Sequence, residues 1–412
     1  MDNNKQFILK YLVDRCLMPS NHALDIINLT EESVTADGYV NRLYRVTDLQ
    51  TNYSVIIKKI LPYIRAYRET DGSIHEVRMG RMRAEIAVLS FMNTLYPGIT
   101  PEIFHFNESD GIIVMEDLSH MDVLRFGLTD GYTYPQLGSK VGIFLAMLYF
   151  YTSDTLITHH CQSVSRRLFY NSEYNKMFCV LFGNNVIATS NRILEPEAYL
   201  LHQKLLKDSA LQAIISALGE RFRYHSDCLV HNDLHASNIM VNSKRVVIFD
   251  TEFSGYGPSG LDLGRFTSSM LINYLTLLFR RDLPESQRIA LQAYDLSVIQ
   301  DAFNGFQATI IRLWNENCAE SYRLKRSNPE AAYEAIAKHA LHYAALGLTC
   351  RIPSDNARSC DILRISNSHD LGLFQKRALQ IASDMLRNDM FTNIETFIDW
   401  LRCYGDIVRL NL

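Results

Sequence analysis

The sequence predicts an α+β protein of two lobes, a small mixed N-terminal lobe over residues 1–118 and a large, mainly helical C-terminal lobe over residues 119–412. Three observations predict it. β-Branched and aromatic runs crowd into the first quarter of the chain. Long stretches of helical periodicity dominate after Leu118. One strand–turn–strand island, residues 231–253, interrupts those helices.

Taken in order, residues 44–46 and 53–58 are strand-like, and the polar stretch 47–52 between them reads as a hairpin connection. Residues 81–95 place Ile86, Leu89 and Met92 on one helical face, and Pro97, Gly98 and Pro101 end that helix. Two short strands are expected over 102–106 and 111–115, split by polar 107–110. The hinge between lobes is expected at 115–118. Helices follow over 134–152, 197–218, 291–314, 328–347 and 371–387, and Thr392 with Glu395 three residues on is a capping box for a last helix. The apolar stretches 141–151 and 270–279 fall short of the ~20 residues a bilayer span needs, so they read as buried helices and no membrane partner is expected. Inside the island, Ile239–Val241 and Val246–Phe249 flank the turn residues Asn242–Lys244.

Composition narrows the function. At 47% hydrophobic and 21% charged the chain is an ordinary globular protein, and a net charge of −4 argues against nucleic acid as a partner. None of the eight cysteines forms a C-x-x-C pair, so zinc spacing is absent and reduced, mostly buried thiols in a cytoplasmic protein are expected. The N-terminus, MDNNKQFILKYLVDRCL, has no basic segment followed by a long apolar run, so no signal peptide is expected.

The chemistry is concentrated in the island. His231-Asn232-Asp233-Leu234-His235-Ala236-Ser237-Asn238 is an H-x-D-x-x-x-x-N string, followed by a strand and then Asp250. In the bilobal protein-kinase-like fold such a string serves phosphoryl transfer. The aspartate, Asp233, accepts the proton of the attacking hydroxyl, Asn238 reaches a magnesium ion, and the second acid, Asp250, binds the metal that bridges the phosphates. Glu252 follows by two, and in an extended segment its side chain shares a side with that of Asp250; it is a second metal ligand or a solvated turn acid. Asp262, in YGPSGLDLG, either braces the catalytic loop through its backbone N–H groups or caps a helix. His231 belongs to the same supporting layer.

Upstream, Lys58 ends a strand where a cation neutralises nucleotide phosphates, and Glu85 on the following helix holds it in place. Lys59 points to the other face. The loop Ala36–Asn41 has one glycine, Gly38, so it carries no G-x-G-x-x-G, and no Walker A pattern occurs. Glu116 and Leu118 sit at the hinge, where backbone groups pair with adenine.

These residues resemble the aminoglycoside phosphotransferase and choline kinase superfamily, and more closely the 5-methylthioribose kinase family. The similar stretches are SVIIKKILPYIR (54–65), the R-x-x-x-E helix, YPGITPEIFHF (96–106), VMEDL (114–118), the LRFGLTDGYTYP region, FLAMLYFYTSD (144–154), HNDLHASNIMV (231–241) and DTEFSGYGPSGLDLG (250–264). The resemblance implies a small-molecule kinase using ATP and Mg²⁺, with Asp233 as base and with Asp250 and Glu252 on the metal. It implies nucleotide contacts at Lys58, Asp37, Gly38 and Asn41, and a possible homodimer. It also implies that Arg351, in LTCRIPSD, lines the acceptor pocket. Three departures stand out: Asn232 replaces a glycine, Asn238 a serine, and Cys350 the first of two adjacent sugar-binding arginines. The expected acceptor is sugar-like, with 5-methylthioribose first and another pentose derivative second. An aminoglycoside-type antibiotic phosphotransferase and a catalytically silent nucleotide-binding module are the competing expectations.

Overall fold

The computed structural model describes residues 3–32, 41–61, 63–68, 74–76, 80–153, 159–183, 187, 194–318, 328–352, 361–387 and 393–410. Five strands of the N-terminal lobe, β1 (Leu24–Asn28), β2 (Arg42–Asp48), β3 (Ser54–Lys59), β6 (Ile103–Asn107) and β7 (Ile112–Glu116), form an antiparallel sheet of order β1-β2-β3-β7-β6. A separate hairpin joins β4 (Tyr63–Arg68) and β5 (Ile74–Glu76). Side-chain alternation gives the sheet two working faces. Tyr44, Val46, Val55, Ile57, Ile112 and Val114 bury one face against Ile8, Tyr11 and Leu12 of helix α1 (Asn3–Asp14). Ile113, on the other face, packs with Ile60 and with Met82 and Ile86 of α2 (Arg81–Leu95). Lys58 is the cross-strand partner of Ile113, so the strand period sends it toward α2 and the cleft. Lys59 turns the other way, bonding the Asp110 carbonyl and lying over the Phe7 ring.

The chain leaves β7 at Glu116 and enters the second lobe at β8 (Asp122–Val123). Helices α3 (Leu124–Thr129), α4 (Leu137–Thr152), α5 (His159–Leu168), α6 (Pro196–Leu206) and α7 (Ser209–Tyr224) follow. Four short strands come next: β9 (Cys228–Val230), β10 (Ile239–Val241), β11 (Val246–Ile248) and β12 (Gly255–Gly257). The chain then closes with α8 (Leu261–Phe279), α9 (Glu285–Asn317), α10 (Pro329–Thr349), α11 (Ser368–Arg387) and α12 (Ile394–Leu410). Strand β10 lies between β11 and β8, and β12 pairs with β9. Every residue of α8 is buried. Its hydroxyls survive there because Thr267, Ser268 and Thr276 donate to carbonyls one turn back. Helix α4 lies almost backbone to backbone on α9: a Cβ at Gly138 or Gly142 would come within 2.2 Å of Val298 O or 2.0 Å of Ala302 O.

Several expectations change. The helix expected over 197–218 is two helices, because the Asp208 side chain accepts from Leu211 N and starts α7 afresh. The last helix is capped by Asn393, whose side chain accepts from Glu395 N; Thr392 lies outside the described residues. Cys228, Cys318 and Cys350 are buried, but Cys16, Cys179 and Cys403 are exposed, so the described thiols are not mostly buried. Among the described residues no helix is long and apolar enough to cross a membrane.

Candidate active site

The loop between β9 and β10 is fixed from behind. Asp262, in the first turn of α8 and two residues past its N-cap Gly260, accepts the backbone N–H of His231 at 2.7 Å and of Asn232 at 2.9 Å. Asn232 has φ 71, in the left-handed region, and its side-chain amide donates to the Tyr174 and Phe253 carbonyls, each at 3.0 Å. The imidazole of His231 donates from Nε2 to Phe249 O at 2.9 Å. Burial pushes the Asp262 carboxyl above its ordinary value, against the pull of His231 and the two backbone bonds.

So braced, the loop aims Asp233 into a cavity of about 420 Å³ lined by residues of both lobes. Asn238 donates from Nδ2 to the Asp233 carbonyl at 2.9 Å, and Arg265 of α8 donates from Nη2 to Asp233 Oδ1 at 2.6 Å. His235 Nε2 lies 3.4 Å from Oδ2, while its Nδ1 accepts from Ser237 N. Burial raises the Asp233 carboxyl, but His235 and Arg265 outweigh it and hold the group well below the usual carboxylate range. Burial also lowers His235, so at neutral pH the charge that faces Asp233 is the Arg265 guanidinium.

Across the cavity, Lys58 Nζ bonds Glu85 Oε1 and Asp250 Oδ1, both at 2.6 Å. Burial lowers this ammonium, but the charges of Asp250 and Glu85 override it and raise it above its ordinary value. Asp250 has φ 64 and Glu252 sits in a turn, so the extended segment assumed for this pair is absent; both nevertheless line the cavity. Glu252 Oε2 accepts from Arg81 Nη1 at 3.2 Å and Asn41 Nδ2 at 3.3 Å. Burial, then the Asp250 and Glu85 charges, push the Glu252 carboxyl up to about 8 against Lys58 and Arg81. Three buried or half-buried carboxylates thus share one lysine and one arginine, a surplus of negative charge that a divalent cation would relieve. Among the described residues no three His, Cys, Asp or Glu side chains form a ready cage. A cation here would therefore rest on Asp250, Glu252, the Asn238 amide oxygen and phosphate oxygens, a donor set that fits Mg²⁺.

At the hinge end, Leu43, Ile56, Met115, Leu118, Met240 and Phe249 wall the cavity with apolar surface. Glu116 is held by Arg245 through Nη1 at 2.5 Å and Nη2 at 2.9 Å, and Asp117 by Arg45 Nε at 2.9 Å. Asp37 and Gly38 lie outside the described residues. Asn41 lines the cavity, but its side chain also accepts from Arg81. Arg351 is not among the cavity-lining residues; its Nη2 bonds both Asp361 oxygens, at 2.9 and 3.1 Å. Sequence reasoning did not single out Arg265, Arg125 or His235. Arg265 falls three residues after Asp262, on the same helical face toward the loop, and that spacing was the available signal.

Comparison with known proteins shows the family. A family model described as the phosphotransferase enzyme family matches residues 34–306. The methylthioribose kinase of Geobacillus sp. (strain WCH70) is 30% identical over 74% of this chain and 72% of its own. That of Bacillus pumilus (strain SAFR-032) is 27% identical over 90% of each. A solved choline kinase from Cryptosporidium parvum, 12% identical, covers 97% of this chain and 99% of its own with a TM-score of 0.47. The chain belongs to the phosphotransferase enzyme family, as a bilobal small-molecule kinase similar to the methylthioribose kinases.

Proposed function

We propose that the protein transfers the γ-phosphate of ATP to a hydroxyl of a small sugar-like acceptor, with 5-methylthioribose the first candidate. The observation that carries this is the meeting of Asp233 with the Lys58–Glu85–Asp250 cluster in one cavity. The apolar hinge end takes the adenine, beside Glu116 and Leu118. Lys58 meets the phosphates, and Glu85 keeps its ammonium in place when Asp250 turns to other ligands. Bound at Asp250, Glu252 and Asn238, Mg²⁺ would supply charge neutralisation for the triphosphate. Asp233, ionised and fixed by the loop, accepts the acceptor's proton as its oxygen reaches phosphorus. Most of the rate comes from positioning and electrostatics. Methylthioribose ranks first because the relatives that match most of the chain carry that name.

The test is ATP consumption by the purified protein with 5-methylthioribose, other pentoses and aminoglycosides. Turnover is expected with a sugar and is expected to vanish in excess EDTA. Asp233→Ala is expected to lower kcat by about 10²–10⁴-fold while ATP affinity holds. Wild-type turnover in that variant would reject Asp233 as base. ATP binding with no turnover on any acceptor would leave only a nucleotide-binding module.

A further inference from the structure

The acceptor has to approach Asp233, so the groups that surround this carboxylate set which acceptors fit. We infer that Arg265 is a positioning residue for Asp233 and, through that pairing, makes the acceptor end of the cleft take uncharged acceptors over ammonium-bearing ones. The inference rests on Asp233 being the base.

The geometry is direct. Arg265 is 6% exposed, and among the described residues the hydrogen-bonded partner of its side chain is Asp233, at 2.6 Å. Its Nε is buried without a partner among those residues, and beyond Asp233 its charge also acts on Asp262 one turn away. Asp262 and Arg265 lie one turn apart on α8. The first holds the backbone of the catalytic loop and the second holds its carboxylate, so a single helix fixes both.

Charge pairing continues around the cleft. Lys58 matches Glu85 and Asp250, Arg245 matches Glu116, Arg45 matches Asp117, and Arg81 matches Glu252. With Arg265 on Asp233, every carboxylate lining the cavity has a cationic partner within 3.2 Å, but Glu85 and Asp250 share Lys58, so the surplus negative charge lies at the metal end of the cleft and not at Asp233. Arg125, 5% exposed, also lines the cavity and helps to lower the proton affinity of His235. An ammonium group brought to Asp233 would meet a carboxylate already neutralised and guanidinium groups of like charge. A hydroxyl-rich neutral acceptor meets no such opposition, and it needs Asp233 only as a proton acceptor.

The test compares wild type, Arg265→Met and Arg265→Lys in steady-state assays with whichever uncharged sugar the wild type phosphorylates, adding choline as the ammonium probe. Arg265→Met is expected to lower kcat by about 10–100-fold, because an unanchored base loses alignment, with the ATP KM within about twofold of wild type. Choline is expected to compete with the sugar about tenfold more strongly in Arg265→Met than in wild type, since the Asp233 charge is then unmatched. Arg265→Lys is expected to keep choline out and to recover part of the lost kcat. If Arg265→Met does not fold, Arg265→Lys decides: it must lower kcat, for want of the guanidinium fork, while choline stays excluded. Wild-type kcat in a folded Met or Lys variant, or choline competition unchanged by Arg265→Met, would overturn the inference. So would a wild type that prefers choline or an aminoglycoside to every sugar, and in that case the kinase reading stands. A wild type that phosphorylates nothing would instead remove the functional reading beneath it.

Discussion

Asn232 shows how much one residue position can hold. Its backbone is left-handed at φ 71, its N–H reaches Asp262, and its amide satisfies the Tyr174 and Phe253 carbonyls. The left-handed region costs an ordinary L-residue roughly 1–2 kcal/mol, and glycine and asparagine are the residues that enter it most easily. An asparagine is therefore conformationally tolerable here, and its amide adds two buried hydrogen bonds. Asn232→Ala should lose both bonds and incur the backbone cost, destabilising the fold by roughly 2–4 kcal/mol in urea titration. Asn232→Gly should lose the same bonds without the backbone cost and come out about 1 kcal/mol more stable than Asn232→Ala. Equal midpoints for the two variants would show that the left-handed backbone carries no energetic weight here.

At the scale of elements, the β10–β11 hairpin ties the lobes together as well as carrying the site. From its turn, Arg245 donates to the Gly98 carbonyl at 2.9 Å, to the Thr100 carbonyl at 3.2 Å and, by a fork, to Glu116 at the end of β7. Ile248 N adds a bond to the Ile99 carbonyl at 2.7 Å. The hairpin therefore clamps the α2–β6 link and the hinge at once. Arg245→Gln should lower stability by about 1–3 kcal/mol and weaken ATP binding, with both read from thermal melts run with and without nucleotide. An unchanged melt would mean that the Ile248 bond alone carries the clamp. The hairpin itself was legible in the sequence, since two short β-branched runs around Asn242-Ser243-Lys244 leave few other readings. Its clamp was not, because Arg245 and Glu116 are 129 positions apart and neither has a local signature. The break between α6 and α7 was missed for a related reason. Apolar periodicity runs across Asp208, and only its side-chain bond to Leu211 N reveals a new helix start. The Asp233–Asp250 pair was readable because phosphoryl transfer fixes residue types at fixed spacings. Lys58 was readable with its partner Glu85, but the arginines that match the cleft's other acids were not, because they come from four different elements or loops and share no spacing.

For the molecule as a whole, stability depends on how α8 is enclosed, and the N-terminal end of that enclosure contains a titratable flaw. His339 of α10 packs where a Cβ on Gly260, at the start of α8, would lie 3.3 Å from its own Cβ. Its Nδ1 is buried without a partner among the described residues. Burial lowers the imidazole to about 4, aided by the charge of Arg221 on α7 and by His342 and Lys338 on its own helix, and opposed by Asp227. An unfolded histidine titrates near 6.5, so between that value and about 4 the unfolded chain binds the extra proton. The favourable contribution of the neutral ring is complete above pH 6.5, shrinks as the pH falls, and is gone below about 4. Carboxylates throughout the protein also titrate in the lower part of that window, so the wild-type curve alone cannot isolate the effect. His339→Gln fills a similar space without an ionising group and removes only the histidine's share. The stability difference between wild type and variant, from urea titrations, should stay constant above pH 6.5 and move in favour of His339→Gln between pH 6.5 and about 4. Parallel curves through that window would show that the ring is protonated as easily folded as unfolded, and that the α8–α10 contact tolerates the charge.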